Sequence, residues 1–228
     1  MLPIAILAGG LATRMRPLTG KIPKSLLDVA GEPFIFHQLR LLHGQGIEEA
    51  VLCVGYLGEM IEERVGSGKP FGLRVRYSYD GPRLLGTAGA LKQALPLLGG
   101  TFFVLYGDSY LTCDYKTVQA AYEQSGKAGL MTVYRNQGRY DSSNVVFEDG
   151  RIIYYDKKDK RPDMLYIDYG LGILQGRALE HLMADEPADL ADVYKKLVLE
   201  DMLAGFESPE RFYEIGSPAG LAELADIL

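Results

Sequence analysis

Two cysteines in 228 residues are too few for a disulfide framework. Cys53 and Cys113 lie far apart, in or beside strand-like runs, and match no zinc-ligand spacing. Buried free thiols are expected at both. No apolar run approaches the ~20 residues that span a bilayer. The short apolar run at the N-terminus lacks the positive flank of a secretory signal and reads as a buried strand. A cytoplasmic chain that does not engage a membrane is expected. No segment is compositionally biased, and 24% of the residues are charged, which excludes disordered and fibrous classes. A formal net charge of −6 weighs against nucleic acid as a partner. Three catalytic signatures are also missing. There is no G-x-x-x-x-G-K-S/T loop, no G-x-G-x-x-G fingerprint and no G-x-S-x-G elbow, so P-loop, dinucleotide-binding and serine-hydrolase readings fall away.

One absence is local. From Met1 to Leu27 there is no Asp or Glu, while Arg14, Arg16, Lys21 and Lys24 fall close together. An acidic chain with a cationic loop of this kind suits a small anionic ligand. The rest is ordinary: 47% of the residues are apolar, enough for one domain with a sizeable core. Apolar runs at Pro3–Ala8, Ala50–Val54, Leu73–Tyr79 and Thr101–Tyr106 alternate with helical patterns at Pro33–His43, Leu57–Val65 and Ala88–Leu98. Continuous apolar strands separated by helices indicate a mostly parallel sheet covered on both faces. After about residue 128 the pattern becomes β-rich, with strands expected at Gly129–Tyr134, Val145–Phe147, Ile152–Tyr155 and Tyr166–Leu174. Helices are expected at Arg177–Met183, Leu190–Leu203 and Pro218–Ile227. With no internal repeat and no linker, one domain over residues 1–228 is expected, its first half α/β and its second half a β-rich elaboration.

The loop after the first strand carries the functional argument. Glycines let a backbone turn sharply so that successive N–H groups converge on phosphate oxygens. Such a loop belongs at the carboxyl end of a strand, where open α/β sheets bind ligands. The chain reads Leu7-Ala8-Gly9-Gly10-Leu11-Ala12-Thr13-Arg14-Met15-Arg16-Pro17-Leu18-Thr19, then Pro23-Lys24-Ser25-Leu26. Over about eighteen residues this closely resembles the signature of the sugar-1-phosphate nucleotidyltransferases, L-A-G-G-x-G-T-R-x-x-P-L-T-x-x-x-P-K. Ala12 stands where the pattern has its third glycine, and alanine serves there if its φ is negative.

The resemblance extends along the chain. Gly86-Thr87-Ala88-Gly89-Ala90-Leu91 is similar to the base-holding segment of guanylyltransferase-like members, and Tyr106-Gly107-Asp108-Ser109 to the segment whose aspartate binds Mg²⁺. Asp156-Lys157 resembles the pair whose lysine meets the sugar phosphate, and Tyr169-Gly170-Leu171 the strand whose glycine lies against the sugar. Tyr213-Glu214-Ile215-Gly216 resembles the closing segment, with Glu214 in place of a second metal-binding aspartate.

The resemblance implies a three-layer αβα, Rossmann-like fold with a mixed, mostly parallel sheet, in which residues 1–125 form a nucleotide-binding half and 126–228 a sugar-phosphate-binding half; with no hexapeptide repeat in the sequence, no C-terminal β-helix domain is expected. It assigns catalysis to Arg14, Lys24 and Asp108, and nucleotide binding to Ala8, Gly9, Gly10, Leu11, Ala12, Thr13, Gly86, Thr87 and Ala88. Sugar-phosphate binding falls to Asn144, Asp156, Lys157, Asp168 and Gly170, and Mg²⁺ to Asp108 and Glu214. The substrates implied are an NTP and a sugar 1-phosphate, with guanine and mannose or heptose favoured; uridylyl and thymidylyl transfer stay open, as does a homo-oligomer. Two other classes compete. A catalytically silent nucleotide-sugar sensor would suit Ala12 and Glu214 but not an intact Arg14, Lys24 and Asp108. A glycosyltransferase of similar fold would need a D-x-D motif, which Gly107-Asp108-Ser109 lacks. His37 and His43, on the second helical pattern, read as packing or surface residues.

Overall fold

The computed structural model of the chain describes residues 1–12, 15 and 19–228. The first strand, β1 (Ile4–Leu7), is followed by two short strands, β2 (Asp28–Val29) and β3 (Glu32–Pro33). Helix α1 (Phe34–Gly44) starts directly after Pro33, whose ring presets its φ at −54°. Then come β4 (Glu49–Val54), α2 (Gly58–Val65), β5 (Arg74–Tyr79), α3 (Gly86–Leu98), β6 (Thr101–Tyr106) and β7 (Ser109–Leu111). Helix α4 (Tyr115–Ser125) leads into β8 (Gly129–Tyr134), β9 (Val145–Glu148), β10 (Arg151–Tyr155) and β11 (Ile167–Gln175). The chain closes with α5 (Leu190–Leu199), β12 (Leu203–Glu207), β13 (Phe212–Glu214) and α6 (Pro218–Ala225).

Nine strands form one sheet in the order β5-β4-β1-β6-β11-β8-β12-β10-β9. The strands of the first half, β5, β4, β1 and β6, run parallel to one another. Strand β11 runs antiparallel to both β6 and β8, β12 joins β8 in parallel, and β10 and β9 complete the edge as an antiparallel pair. The sheet is therefore mixed, parallel where the expected nucleotide half lies. Both faces are covered. Ile4 and Ile6 point into a core with Ile35, Leu39 and Leu42 of α1, Ile61 of α2 and Val118 of α4. Ala5, between them, points to the opposite core with Leu91 and Ala94 of α3 and Val193 and Leu197 of α5. Burial of each such Leu or Ile side chain contributes ~1.5–3 kcal/mol, so a strand apolar on both sides is what this three-layer arrangement requires. A third, small core joins Val29, Phe34, Ile215 and Leu224, binding the β2–β3 and β7–β13 ribbons to α6.

Several expected elements change. The helix expected at Arg177–Met183 is only a 3₁₀ turn, Gly176–Leu179. The helix expected to reach Leu203 stops at Leu199, because Asp201 takes a left-handed φ of 53° and turns the chain back into β12. Helix α4, not anticipated, is capped at its start by Asp114, whose side chain accepts the Lys116 N–H at 2.9 Å, and at its end by Gly126 at φ 64°. Both cysteines are buried and free, as expected. Among the described residues, no helix is long and apolar enough to cross a membrane.

Candidate active site

Strand β1 lies between β4 and β6, both parallel to it, and α1, α2 and α4, the helices that follow these three strands, share one core on the same face, with α3 and α5 on the other. The crevice at the carboxyl ends of these parallel strands is where open α/β sheets bind ligands. A cavity of about 730 Å³ occupies it. Its floor is the β1 end, Leu7 to Gly10, with Ala12, Lys24, Gly107 and Asp108 around it. The two loop glycines have different surroundings. A Cβ on Gly9 would lie 2.8 Å from the backbone nitrogen of Gly55, so the β4–α2 connection needs glycine there to pass. A Cβ on Gly10 would meet no heavy atom of the described residues within 4 Å. The open side of Gly10 lets a ligand approach the backbone closely. Arg14 and Thr13, assigned from the sequence, lie outside the described residues. Leu11 is exposed beside the cavity rather than part of its lining. Ala12 has φ 47°, not the negative φ that would suit alanine, so this position holds its left-handed turn at the steric cost glycine avoids.

Lys24 and Asp108 meet directly. The Lys24 ammonium donates to Asp108 Oδ2 at 2.7 Å, and both side chains line the cavity. Asp108 sits between β6 and β7, where the chain bends away from the sheet. Gln38 of α1, fully buried, fixes that bend by donating from Nε2 to the carbonyls of Ser109 at 2.8 Å and Tyr106 at 3.3 Å. The Ile215 N–H donates to the Asp108 carbonyl at 3.0 Å, which draws the β13 segment alongside. Glu214 is thereby brought opposite Ser109. Its carboxylate, however, is engaged by its own turn: Oε1 accepts the Ser217 hydroxyl at 2.8 Å and Oε2 the Gly216 N–H. A Cβ on Gly216 would stand 3.2 Å from Lys24 Nζ, so the lysine lies between Asp108 and this turn.

At the β5 end the cavity is lined by Asp80, Leu84, Gly86, Thr87 and Ala90. Asp80 is buried, and burial raises its carboxyl above the usual range, against the Leu85 N–H donated to Oδ2 at 3.1 Å. The glycine segment at the start of α3 also has a packing role. Gly86 at φ 70° and Gly89 let the 186–188 strand of chain cross the helix, and Thr87 Oγ1 accepts the Leu190 N–H at 2.8 Å. Ala88 is fully buried and packs into the α3–α5 core rather than lining the cavity.

At the other end stand Tyr106, Asp141, Ser142, Asn144, Lys157, Lys160, Ile167 and Asp168. Asn144 Oδ1 accepts the Asp168 N–H at 2.9 Å. The Asp168 carboxylate accepts from Tyr106 Oη at 3.0 Å, Tyr155 Oη at 3.4 Å and the Gly170 N–H at 3.1 Å; burial raises its carboxyl, and Lys157 opposes the shift. Gly170, at φ 96°, packs behind the site, where a Cβ would lie 3.0 Å from Ser109 Oγ and 3.2 Å from Tyr106 Cδ2. Asp156 does not face the cavity. It pairs with Lys195 of α5 at 2.7 Å and accepts the Lys158 and Asp159 N–H groups, and the Lys195 contact first among these holds its carboxyl far below the usual range. Its place is to anchor the turn that carries Lys157.

A glycine-lined β1 loop, a lysine–aspartate pair and a second cationic end now share one crevice, and comparison with known proteins identifies the arrangement. The nucleotidyl transferase family model matches residues 4–223. This chain belongs to that family. An N-acetylmuramate α-1-phosphate uridylyltransferase of Neisseria meningitidis serogroup B is 31% identical over 229 residues, covering 96% of this chain and 94% of the relative. A mannose-1-phosphate guanyltransferase beta-B of Xenopus laevis is 29% identical over 93% of this chain, which spans 61% of that longer relative. The fold matches HddC from Yersinia pseudotuberculosis, solved with GMP-PN, at a TM-score of 0.81 and 24% identity over 100% of this chain and 99% of that one. It also matches a putative glucose-1-phosphate thymidylyltransferase from Bacillus anthracis at a TM-score of 0.85 and 20% identity, over 100% and 95% of the two chains.

Within this nucleotidyl transferase, sequence reasoning passed over several cavity residues. Asp80 directly follows β5, an edge strand, six residues ahead of Gly86, and an acid at the carboxyl end of a strand just before a glycine segment is the signal that marks it. Tyr106 immediately precedes the Gly107-Asp108 pair. Ser25 is buried against the cavity with no partner for its hydroxyl among the described residues, and nothing in its sequence context sets it apart. His37 donates to or accepts nothing in the cavity; its Nε2 meets the Val29 carbonyl at 2.8 Å.

Proposed function

We propose that this chain transfers a nucleotidyl group from an NTP to a sugar 1-phosphate, releasing pyrophosphate, and that the favoured case is guanylyl transfer to a mannose- or heptose-type sugar 1-phosphate. The observation that carries the reading is the Lys24–Asp108 pair at the foot of a cavity with an open glycine backbone on one side and Lys157 and Lys160 at the far end. In the reaction an oxygen of the sugar phosphate attacks the α-phosphorus in line; a new P–O bond forms as the bond to the β-phosphate breaks. Both reactants are anions, so positioning and charge offset dominate. The amides of Gly9 and Gly10, together with Arg14, hold the triphosphate. Lys24 neutralises charge at the α-phosphate, and Lys157 receives the sugar phosphate. Cys53 lines the cavity but is no nucleophile, because burial, with Asp80 adding to it, pushes its thiol up to about 12.

The residues fit Mg²⁺. Among the described lining residues, Asp80, Asp108, Asp141 and Asp168 face Lys24, Lys157 and Lys160, so a triphosphate requires added cations to enter. Asp108 already holds a cation, the Lys24 ammonium, on Oδ2. Mg²⁺ keeps much of its shell as water and phosphate oxygens, and one or two carboxylates suffice; no cluster of three acidic, His or Cys ligands is present among the described residues. Asp108 would hold the ion, with Glu214 beside it, and the ion would offset charge on the α-phosphate and the leaving oxygens.

Guanine is favoured by Asp80. A buried carboxylate at the base end suits the paired N1–H and N2–H donors of guanine and opposes the carbonyl-flanked edge of uracil. The full-length match to a uridylyltransferase favours the second reading, uridylyl transfer. A pyrophosphate-release assay across NTPs and sugar 1-phosphates separates them: highest kcat/KM with GTP supports the first, and with UTP the second. Lys24→Ala and Asp108→Ala are each expected to lower pyrophosphate release by about a hundredfold or more, with unchanged melting. Near-normal turnover in either variant refutes its role.

A further inference from the structure

Tyr106 stands at the carboxyl end of β6 with its ring fixed and its hydroxyl between two charges. The ring is held from below, since Gly170 leaves room for it only by lacking a Cβ. Above it the Lys157 ammonium lies 5.2 Å from the ring centroid. The hydroxyl donates to Asp168 Oδ2 at 3.0 Å and receives Lys157 Nζ at 3.4 Å. A phenol carries one proton. With that proton committed to the carboxylate, its lone pair faces the lysine, so the direction of the chain is set: Lys157 to Tyr106 to Asp168. Asp168 is fixed in turn by the Gly170 N–H and by Tyr155, and its backbone by Asn144. Among the described residues, Lys157 has no direct carboxylate partner. Its charge is attracted towards Asp168 yet kept one oxygen away, in a cavity wall open to ligand.

We propose that Tyr106 is a positioning residue for the acceptor substrate, its hydroxyl separating Lys157 from Asp168 so that the lysine stays free to bind the sugar phosphate. This rests on the nucleotidyl-transfer reading for the identity of the anion, but the separation itself does not. Without the phenolic oxygen, Lys157 closes onto Asp168 as a direct ion pair. A lysine in that pair holds its proton more tightly and answers a phosphate less well.

Two measurements test this. In competitive acetylation with acetic anhydride, read by mass spectrometry against the chain's other lysines, Tyr106→Phe is expected to slow labelling of Lys157 by about threefold or more. Tyr106→Phe combined with Asp168→Asn is expected to restore it. In steady-state kinetics, Tyr106→Phe is expected to raise KM for the sugar 1-phosphate about tenfold, leaving KM for the NTP unchanged. A purely structural role for the ring would move both KM values or melting instead. Unchanged labelling of Lys157 in Tyr106→Phe overturns the proposal, as does an equal rise in both KM values. If the unmodified protein releases no pyrophosphate with any substrate pair, the nucleotidyl-transfer reading fails, while the labelling result still decides the separation.

Discussion

Gly9 and Gly10 are neighbours in one loop, yet alanine at each is expected to fail in opposite ways. At Gly9 the new methyl would lie 2.8 Å from Gly55 N and 3.2 Å from the Val54 carbonyl carbon, both backbone atoms pinned by the β4–α2 connection. Neither can swing aside as a side chain can. Overpacking of this kind costs ~1–3 kcal/mol, and each kcal/mol moves Tm by ~2–4 °C in a domain of this size. Gly9→Ala should therefore melt roughly 2–12 °C below the unmodified protein. At Gly10 the methyl meets nothing within 4 Å among the described residues, and the residue is not in the left-handed region. There alanine restricts the unfolded chain and contributes ~0.4–1 kcal/mol, so Tm stays level or rises by about 1–4 °C. Ligand binding is where Gly10→Ala fails. The methyl projects into the space through which phosphate oxygens reach the loop amides, and loss of one such contact costs ~1.5 kcal/mol, about tenfold in affinity. Differential scanning calorimetry and isothermal titration with a non-hydrolysable NTP measure the two quantities separately. Unchanged nucleotide affinity in Gly10→Ala would refute the placement of the triphosphate on this loop, and unchanged melting in Gly9→Ala would refute the packing argument.

Two further outcomes follow from single residues. Ala12 is held at φ 47°; alanine in the left-handed region costs ~1–2 kcal/mol, against the ~0.4–1 kcal/mol that its smaller unfolded entropy returns. The difference, about 0–1.6 kcal/mol, means that Ala12→Gly is expected to leave Tm level or raise it by up to about 6 °C in the same calorimetric scan, and a fall in Tm would show that the loop does not hold this turn in solution. Asp156 has its carboxyl lowered from 3.8, chiefly by Lys195, so its stabilising contribution is complete above pH 3.8 and is lost as the pH falls through the lowered value. Melting curves of the parent and Asp156→Asn should therefore stay a constant interval apart above about pH 5 and converge as the pH falls below 3.8. An interval that does not narrow in acid would show that the Asp156–Lys195 contact contributes nothing to folding.

The elements read correctly from sequence are those whose signal is local. Strands β1, β4 and β6 are apolar on both sides because both sheet faces are covered, and that pattern needs no knowledge of the partners. Helix α4 carried an equally local signal, Asp114 at its N-cap and Gly126 beyond its end, and was passed over only because its apolar face is sparse. Strand β12 is different: Leu203-Ala204-Gly205-Phe206-Glu207 follows a helix without a conventional break, and it becomes a strand because β8 offers a vacant parallel edge. The site divides along the same line. The glycine loop, Lys24 and Asp108 stand out because each falls in a short stretch that resembles a family motif, and the structure adds that all three line one cavity. Asp80 and Tyr106 matter through neighbours on β1, β10 and β11, which only the sheet order brings near.

Glu214 shows where the two kinds of information part. Its placement beside Asp108 follows from register, since β13 pairs with β7 and sets Glu214 opposite Ser109. Its carboxylate direction does not. That is decided by Ser217 and the Gly216 N–H, donors within three residues that also start α6. In this structure the carboxylate is therefore committed to the closing turn and not to the cavity. Since a Cβ on Gly216 would stand 3.2 Å from Lys24 Nζ, the same turn limits where the lysine can move if Asp108 takes up the proposed ion.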